Sequence, residues 1–321
     1  MSSVHAKKHI VAIGECMVEL VQRDKQTCEV GFAGDTLNSL IYAKRWMPEV
    51  TCSFFSAIGT DHFSQQMLDF FKENHIETTA VFHSNSRNVG LYSIVTDENG
   101  ERSFDYWRDQ SAAKSMMCLH RTEQPDLGAV DMLYFSGIAL GILSDGDKED
   151  LFALLKHYRR QGALIAFDPN YRATMWSDTE HAQYWFDKAY READIALPGV
   201  DDHFAVYGHR CSAQVVTHLL NMTCREFVLK AGKDGVYGYR EGALVHHQPF
   251  KQAPKQVDST AAGDSFAGVY LVNRLSGTGM AESIRAADAV AREVVQYRGA
   301  IVEQSVIADV KSAFSNDSQG V

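Results

Sequence analysis

The 321-residue sequence has only six prolines, no Ser-rich or Gly-rich linker, and no internal repeat. Since linkers between domains are usually rich in such residues, their scarcity predicts one folding unit spanning residues 1–321. The six cysteines show no Cys-x-x-Cys spacing, and no segment resembles a signal peptide or an apolar run of 18 residues. We therefore expect reduced thiols, a cytoplasmic location and no association with membranes.

Positive charge is also in short supply. The chain has 31 Lys and Arg against 41 Asp and Glu, a net charge of −10, and no long basic block. Because nucleic acids and anionic membranes are bound through clusters of positive charge, both are excluded as main partners. The motif G-x-x-x-x-G-K-[ST] is absent too, which excludes a standard P-loop nucleotide site. An anionic small molecule remains compatible, since a few arginines set the charge of one pocket.

Short apolar segments of strand length alternate with segments of helical periodicity. The strand-like segments are 9–14, 52–58, 132–135, 164–167, 195–197 and 227–229. The helical segments are 63–74, 147–161, 179–193, 213–222, 264–275 and 280–297. This alternation predicts an α/β fold with a mostly parallel central sheet and helices on both faces.

One region departs from this alternation. Its four strand-like segments are 16–21, 29–32, 89–96 and 101–107. Asp97-Glu98-Asn99-Gly100 joins the last two, and Asn-Gly is typical of a tight hairpin turn. These segments predict a small second sheet, built from about residues 15–32 and 89–109.

The side chains of this second sheet bear on whether it is a lid or an edge hairpin without function. Tyr92, Tyr106 and Arg108 would bring two phenols and a guanidinium near one face, and arginine binds carboxylates and phosphates through a planar fork. A lid would exclude water from a pocket beneath it. An exposed apolar face on such a sheet also favours a homodimer in which two lids pack together.

Residues 257–268 (VDSTAAGDSFAG) connect a strand-like stretch to a long apolar helix through small residues. Backbone amides at such a helix start can face an anion, and Asp264 lies at the same point. Amides that hold a phosphoryl group, beside a carboxylate that accepts a hydroxyl proton, suit phosphoryl transfer. The alternative is an N-cap aspartate after a tight turn.

Two separated segments carry a family resemblance. Residues 31–38 (GFAGDTLN) resemble the Gly-Gly-x-x-x-Asn sugar-binding segment of the ribokinase-like, or PfkB-type, carbohydrate kinases. Residues 258–264 (DSTAAGD) resemble the D-T-x-x-A-G-D signature of the same family. The resemblance covers nearly the whole chain and implies a ribokinase-like three-layer α/β fold with a small β-sheet lid.

The resemblance also implies roles for residues of these two segments. Asp264 is similar to the catalytic base that accepts the proton of the sugar hydroxyl. An anion hole for the developing phosphoryl charge is implied at Ala261, Ala262 and Gly263. The implied contacts with sugar hydroxyls are Gly34, Asp35 and Asn38.

For the nucleotide, residues 230–235 (KAGKDG) resemble the segment beneath the ATP phosphates, although a glycine-rich turn between strands is the alternative. The implied ATP contacts are Asn170, Lys230, Gly232, Lys233 and Gly235. The resemblance implies ATP and Mg²⁺ as cofactors. The Asn-x-x-Glu motif that the family uses for Mg²⁺ would fall at residues 199–202, where the Asn is missing and Asp202 replaces the Glu. The Mg²⁺ ligands therefore stay open, with Asp202 as a candidate through a water molecule.

Four stretches resemble, within this family, the kinases of 2-keto-3-deoxygluconate: 13–17 (IGECM), 104–108 (FDYWR), 167–172 (FDPNYR) and 296–300 (QYRGA). The resemblance implies transfer of the ATP γ-phosphoryl group to the terminal hydroxyl of this sugar acid, in uronate and Entner–Doudoroff catabolism. Such a substrate needs fixed cations for its carboxylate and hydroxyl donors for its ketone. The candidates are Arg108, Arg172, Tyr92 and Tyr106.

Two alternatives stay open. One is a kinase of a related substrate, such as 2-keto-3-deoxygalactonate or fructose. The other is a catalytically silent sugar- or nucleotide-binding protein, and the intact run 261–264 argues against it because a silent protein has no need of Asp264.

Overall fold

The computed structural model describes residues 7–96 and 102–318. The predicted hairpin turn at residues 97–100 and Glu101 lie outside the described residues. Thirteen strands are formed within the described part: β1 (His9–Ile13), β2 (Met17–Gln22), β3 (Cys28–Ala33), β4 (Thr51–Ile58), β5 (Val81–His83), β6 (Gly90–Thr96), β7 (Arg102–Trp107), β8 (Met132–Ser136), β9 (Leu164–Asp168), β10 (Ile195–Ala196), β11 (Glu226–Lys230), β12 (Val236–Arg240) and β13 (Ala243–Gln248).

Eleven α-helices occur in the same ranges: α1 (Asp35–Trp46), α2 (His62–Glu73), α3 (Met116–Glu123), α4 (Gly137–Ile142), α5 (Asp145–Arg160), α6 (Thr179–Glu192), α7 (Val200–Tyr207), α8 (Ser212–Leu220), α9 (Ala262–Leu275), α10 (Met280–Val294) and α11 (Gln304–Ser318). Several begin at side-chain caps that the sequence supplies. Asp61 accepts from the amides of Phe63 and Ser64, for example, and Ser144 accepts from that of Asp147.

The larger sheet has the strand order β13-β12-β11-β10-β9-β8-β1-β4-β5. Strands β1, β4, β5 and β8 to β11 are parallel, and β12 and β13 are antiparallel to their neighbours. The predicted strands and the mostly parallel arrangement are confirmed. The sequence did not predict β12 and β13, because their exposed positions and their mix of Tyr, His and Gly break the apolar pattern.

Helices cover both faces of this sheet, as the strand β1 illustrates. Ile10 and Ala12 join one apolar cluster with helices α1, α9 and α10. Val11 and Ile13, which point to the opposite face, join a second cluster with α5 and α6. The fold therefore has three layers, as predicted. No helix within the described ranges is long and apolar enough to cross a membrane.

The second sheet is separate and has the order β3-β2-β6-β7. In the β6–β7 pair, Tyr92 lies opposite Tyr106, and in the β2–β6 pair Glu19 lies opposite Tyr92. Because side chains alternate between faces, Tyr92 and Tyr106 share one face of this sheet. Arg108 follows β7, and its guanidinium carbon lies 6.0 Å from the centroid of the Tyr106 ring. The four predicted strands of this sheet are thus confirmed.

Candidate active site

A cavity of about 800 Å³ lies between the second sheet and the carboxyl-end loops of the larger sheet. Ligands of open α/β sheets usually bind at this edge. The cavity brings together eleven residues predicted from the sequence: Gly34, Asp35, Asn38, Tyr92, Tyr106, Arg108, Asn170, Arg172, Ala261, Gly263 and Asp264. Segments more than 200 residues apart in the chain therefore form one site.

Asp264 lies in the first turn of α9, at the base of the cavity. Its Oδ2 accepts a hydrogen bond of 2.9 Å from Nδ2 of Asn38, on α1. Burial, together with the nearby carboxylate of Asp35, raises the pKa of Asp264 to about 7. A carboxylate with this pKa can accept a proton near neutral pH, which suits a general base.

Asp35 begins α1, and its two oxygens are both engaged. Oδ2 accepts from Nδ2 of Asn170 at 2.8 Å, and Oδ1 accepts from the amide of Thr36. Asn170 follows β9 with a φ of 32°, and Ala261 precedes α9 with a φ of 58°. Such left-handed conformations are strained for residues with a side chain and are common at functional sites. Both residues line the cavity.

Two of the predicted glycines, Gly34 and Gly263, line the cavity, and they differ in whether a side chain could be accommodated there. A Cβ at Gly34 would lie 1.9 Å from the carbonyl oxygen of Glu15, so Gly34 is required by backbone packing. The family resemblance had implied only a contact between Gly34 and a sugar hydroxyl. A Cβ at Gly263 would meet only Nζ of Lys230, at 3.9 Å. No packing contact therefore requires Gly263 to be a glycine, and Gly263 lines space that a ligand can enter.

Lys230, at the end of β11, donates to Asp168 at 2.7 Å. Burial raises the pKa of Asp168, and the Lys230 ammonium opposes that rise. The pair thus places a cation near the start of α9. Asp168 was not assigned a role from the sequence. Its signal was its position at the carboxyl end of β9, two residues before Asn170.

Six predicted residues do not line this cavity: Ala262, Asp202, Lys230, Gly232, Lys233 and Gly235. Gly232, Lys233 and Gly235 lie in the turn between β11 and β12, where Gly232 and Gly235 have positive φ angles of 56° and 86°. Ala262 donates its amide to the carbonyl of Ser259. Asp202 accepts from the amides of Tyr171 and Gly199, so it caps the start of α7.

Two buried carboxylates, Glu15 and Glu19, lie at the lid end of the cavity, and each has a partner. Arg108 donates to Glu15, and the Tyr92 hydroxyl donates to Glu19. Glu15 and Arg108 have side chains only 1% and 15% exposed. Tyr106, 53% exposed, stacks on Tyr92 with ring centroids 5.7 Å apart. No role was predicted for Glu15 or Glu19, although Glu15 lies in the segment 13–17 that carries part of the family resemblance.

Two cations at the cavity have no carboxylate partner within the described residues. Arg172 donates to the carbonyl of Tyr171, and Lys114 donates to that of Asp109. No sequence motif pointed to Lys114, which lies in a short 3-10 turn after the second sheet. Since the charge of Arg108 is balanced by Glu15, Arg172 and Lys114 are the cations best able to attract a substrate carboxylate.

Within residues 7–96 and 102–318, no three His, Cys, Asp or Glu side chains are arranged to hold a metal ion. A divalent cation that stays mostly hydrated and is carried by phosphates still fits, since Mg²⁺ needs only one or two protein carboxylates. A polyphosphate fits the helix start at Gly263 with Lys230 nearby. The donor set is therefore suited to phosphoryl groups rather than to a structural metal.

Comparisons with known proteins agree with this geometry. The family model described as pfkB family carbohydrate kinase matches residues 7–306. The 2-dehydro-3-deoxygluconokinase of Escherichia coli (strain K12) is 37% identical over 309 residues, which cover 94% of this chain and 99% of that protein.

Solved structures give the same fold. A crystal structure of 2-dehydro-3-deoxygluconokinase from Thermotoga maritima superposes with a TM-score of 0.79 at 19% identity, covering 95% of this chain and 99% of that one. A putative ribokinase II from E. coli, in complex with ATP and Mg²⁺, gives 0.79 at 18% identity and covers 97% and 100%. The chain thus belongs to the pfkB family of carbohydrate kinases, and it is a phosphotransferase that acts on an alcohol group.

Proposed function

We propose that this protein transfers the γ-phosphoryl group of ATP to the terminal (6-) hydroxyl of 2-keto-3-deoxy-D-gluconate, giving 2-keto-3-deoxy-6-phosphogluconate and ADP. The proposal is carried by the position of Asp264 at the start of a helix in a large cavity. The pKa of its carboxyl group is raised to about 7. The chain is 37% identical to the 2-dehydro-3-deoxygluconokinase of E. coli. Because 2-dehydro-3-deoxygluconate is another name for 2-keto-3-deoxygluconate, this identity supports the choice of sugar acid.

In this mechanism Asp264 accepts the proton of the terminal hydroxyl as its oxygen attacks phosphorus. Asn38 donates to Asp264 and so fixes the carboxylate in position. The amide of Gly263 and the Lys230 ammonium stabilise the charge that develops on the phosphoryl oxygens. Mg²⁺, when bound with ATP, supplies further charge neutralisation there.

The nucleotide side of the proposal rests on fewer contacts. We infer that ATP approaches through Lys230 and the Gly232–Gly235 turn, while Asn170 holds Asp35 toward the sugar. Asp202 has both oxygens bonded to amides, so we place any contact with Mg²⁺ through a water molecule. This arrangement needs no dedicated metal cage in the protein.

The substrate carboxylate is proposed to bind Arg172, with Lys114 nearby. Arg172 is exposed and forms no ion pair with the carboxylates of residues 7–96 and 102–318, and its planar guanidinium fits a carboxylate with two hydrogen bonds. Arg108, balanced by Glu15, is proposed instead to donate to the ketone or a hydroxyl. The stretch 104–108 then recognises the polar body of the sugar rather than its charge.

The second sheet is proposed to act as a lid on a single kinase domain comprising residues 1–321. We further propose a homodimer in which lids pack together, because Val30 and Trp107 are 47% and 61% exposed on this sheet. Sedimentation velocity at micromolar concentration tests this directly, and a monomer would contradict it. Use of ATP favours the cytoplasm as the location.

The test of function is ADP formation with Mg²⁺ and ATP on five acceptors: 2-keto-3-deoxygluconate, 2-keto-3-deoxygalactonate, fructose, ribose and gluconate. We expect a strong preference for the first. The variant Arg172→Ala should lose activity toward the acids and retain activity toward any neutral acceptor. Preference for a neutral ketose would contradict the assigned substrate and the role of Arg172, while leaving Asp264 as the base.

A further inference from the structure

One wall of the cavity is formed by two short segments that lie side by side. Helix α4 contributes Ile138, Gly141 and Ile142, and the 3-10 turn Ala173–Met175 contributes Thr174 and Met175. We name these two segments, with Arg172, the back wall. A Cβ at Gly141 would lie 3.0 Å from Cβ of Met175, so the two backbones are in close contact.

Behind the back wall lies a buried lysine. Lys148, on α5, is only 3% exposed, and its Nζ donates to the carbonyl of Leu143 at 2.9 Å and to Oδ1 of Asp145 at 2.8 Å. The same ammonium lies 5.5 Å from the ring of Trp176 and 5.3 Å from that of Trp185. Two indole faces and two oxygens therefore surround it.

The contacts of Lys148 fall at the ends of both back-wall segments. Leu143 directly follows α4, and Trp176 directly follows the turn Ala173–Met175. Trp176 is itself buried against Phe186, with ring centroids 5.3 Å apart. One ammonium thus joins the chain after α4 to the chain after the turn that carries Arg172.

This placement is not explained by the stability of α5 alone. A lysine in the first turns of a surface helix can extend into water without any desolvation, whereas burying an ammonium is unfavourable unless it is paired. Here a carboxylate, a carbonyl and two indole rings compensate for the lost water. These contacts hold Leu143 and Trp176 at a fixed distance from each other.

We propose that Lys148 is a positioning residue for sugar binding: through Leu143 and Trp176 it fixes the back wall, and with it Arg172. The proposal rests on the proposed function in that Arg172 holds the acceptor sugar. Lys148 does not line the cavity, and its contacts lead to the back wall, so its loss should affect the sugar side of the site and not the nucleotide side.

Lys188 provides a matched control. Its Nζ lies 5.0 Å from the same Trp185 ring and 4.8 Å from Phe152, and it pairs with Glu149. It has no hydrogen bond to Leu143 and no ring contact with Trp176 within the described residues. Removing Lys188 therefore removes a cation from Trp185 without releasing the back wall.

The experiment compares Lys148→Met, Lys148→Arg and Lys188→Met with the wild-type protein. For Lys148→Met we expect the KM for the sugar to rise about tenfold, with kcat and the KM for ATP within about twofold, because the displacement is confined to one side of the site. Lys148→Arg, which keeps the cation, should recover part of the sugar KM. Lys188→Met should match the wild type.

Hydrogen–deuterium exchange tests the same proposal without relying on turnover. We expect faster exchange in residues 137–144 and 172–177 of Lys148→Met, and no change there in Lys188→Met. An unchanged sugar KM with unchanged exchange in Lys148→Met would overturn the proposal, as would equal effects from Lys188→Met. If the wild type prefers another sugar, the KM is measured with that sugar. If it phosphorylates none, the exchange data still decide, so the two failures are distinguishable.

Discussion

The two ends of the cavity differ in how they treat negative charge. At the lid end, Glu15 is paired with Arg108 and Glu19 accepts from Tyr92. At the catalytic end, Asp264 receives one amide hydrogen bond from Asn38 and faces Asp35 and Asp168. One end therefore balances its buried carboxylates, while the other leaves one carboxylate in an unfavourable electrostatic environment.

The balanced carboxylates therefore have a structural role, and the unbalanced carboxylate has a chemical one. A balanced carboxylate fixes a wall, because removing its charge leaves a partner unpaired in a poorly hydrated place. An unbalanced carboxylate favours the protonated form, and that is the property of a base that must take up a proton near neutral pH. Replacing a carboxylate by the isosteric amide should therefore have opposite effects on the free energy of unfolding at the two ends.

The largest expected effect is on turnover at the catalytic end. Asp264→Asn keeps an oxygen that can accept from Asn38 but cannot take up the hydroxyl proton, so kcat should fall by roughly 10²–10⁴-fold. Steady-state kinetics with saturating ATP measures the change. Binding of ATP, followed by titration calorimetry, should stay largely intact, and near-normal turnover would contradict the role of Asp264 as the base.

At the lid end, Glu15→Gln should act mainly on stability. It leaves the Arg108 guanidinium without its carboxylate in a site only 15% exposed, which should lower the free energy of unfolding by about 2–4 kcal/mol. Chemical denaturation measures this difference. The double variant Glu15→Gln/Arg108→Met removes both charges and should be less destabilised than Glu15→Gln alone; equal loss in both would show that the charge pair is not the cause.

The opposite sign is expected for stability at Asp264. Its pKa is about 7 in the folded protein and near 3.8 when unfolded, so the folded state binds the extra proton between these pH values. Stability contributed by this proton is present at low pH and is lost as pH rises through 7. Asp264→Asn should thus be more stable than the wild type by about 1–4 kcal/mol at pH 8.

Thermal unfolding of both proteins across pH tests this prediction. The advantage of Asp264→Asn should shrink as pH falls toward 5, because the folded wild-type protein then binds a proton at this carboxyl and no longer buries its charge. A constant difference from pH 5 to pH 8 would show that the stabilisation has a cause other than proton binding. A less stable Asp264→Asn at pH 8 would remove the contrast between the two ends.

Most of the fold could be predicted from the sequence, because buried parallel strands are continuous apolar runs. Strands such as Met132–Ser136 and helices such as Thr179–Glu192 fall within two residues of their predicted limits. The antiparallel pair Val236–Arg240 and Ala243–Gln248 was missed because these partly exposed strands lack that pattern. Helix α9 begins at Ala262 rather than Asp264 because Ala261 adopts a left-handed conformation that the sequence does not signal.

The site was predicted where short motifs carry its residues, and it was missed where charge balance decides. Asp264, Asn38 and Asp35 lie in recognisable segments and meet in the cavity. The pairing of Arg108 with Glu15 joins residues 93 positions apart. No local pattern reveals that Arg108 is neutralised. The sequence therefore predicted two arginines for the substrate carboxylate, and of these only Arg172 forms no ion pair within the described residues.

The smallest expected effects distinguish the two lid tyrosines, which the sequence treated alike. The Tyr92 hydroxyl donates to Glu19, whereas the Tyr106 hydroxyl has no hydrogen-bond partner within the described residues and lies on the cavity. If the lid end contributes shape through its bonded groups, only Tyr106 has a donor to offer the sugar. Tyr106→Phe should then raise the KM for the sugar by about two- to tenfold, the value of one hydrogen bond, without changing the melting temperature.

Tyr92→Phe should do the reverse. It leaves Glu19 without this donor in a buried position, so the melting temperature should fall while the sugar KM changes by less than about twofold. Sugar kinetics and thermal unfolding of the two variants, measured side by side, separate these outcomes. If Tyr92→Phe raises the sugar KM more than Tyr106→Phe does, Tyr92 exchanges Glu19 for the substrate, and the lid end takes part in binding through its bonded groups after all.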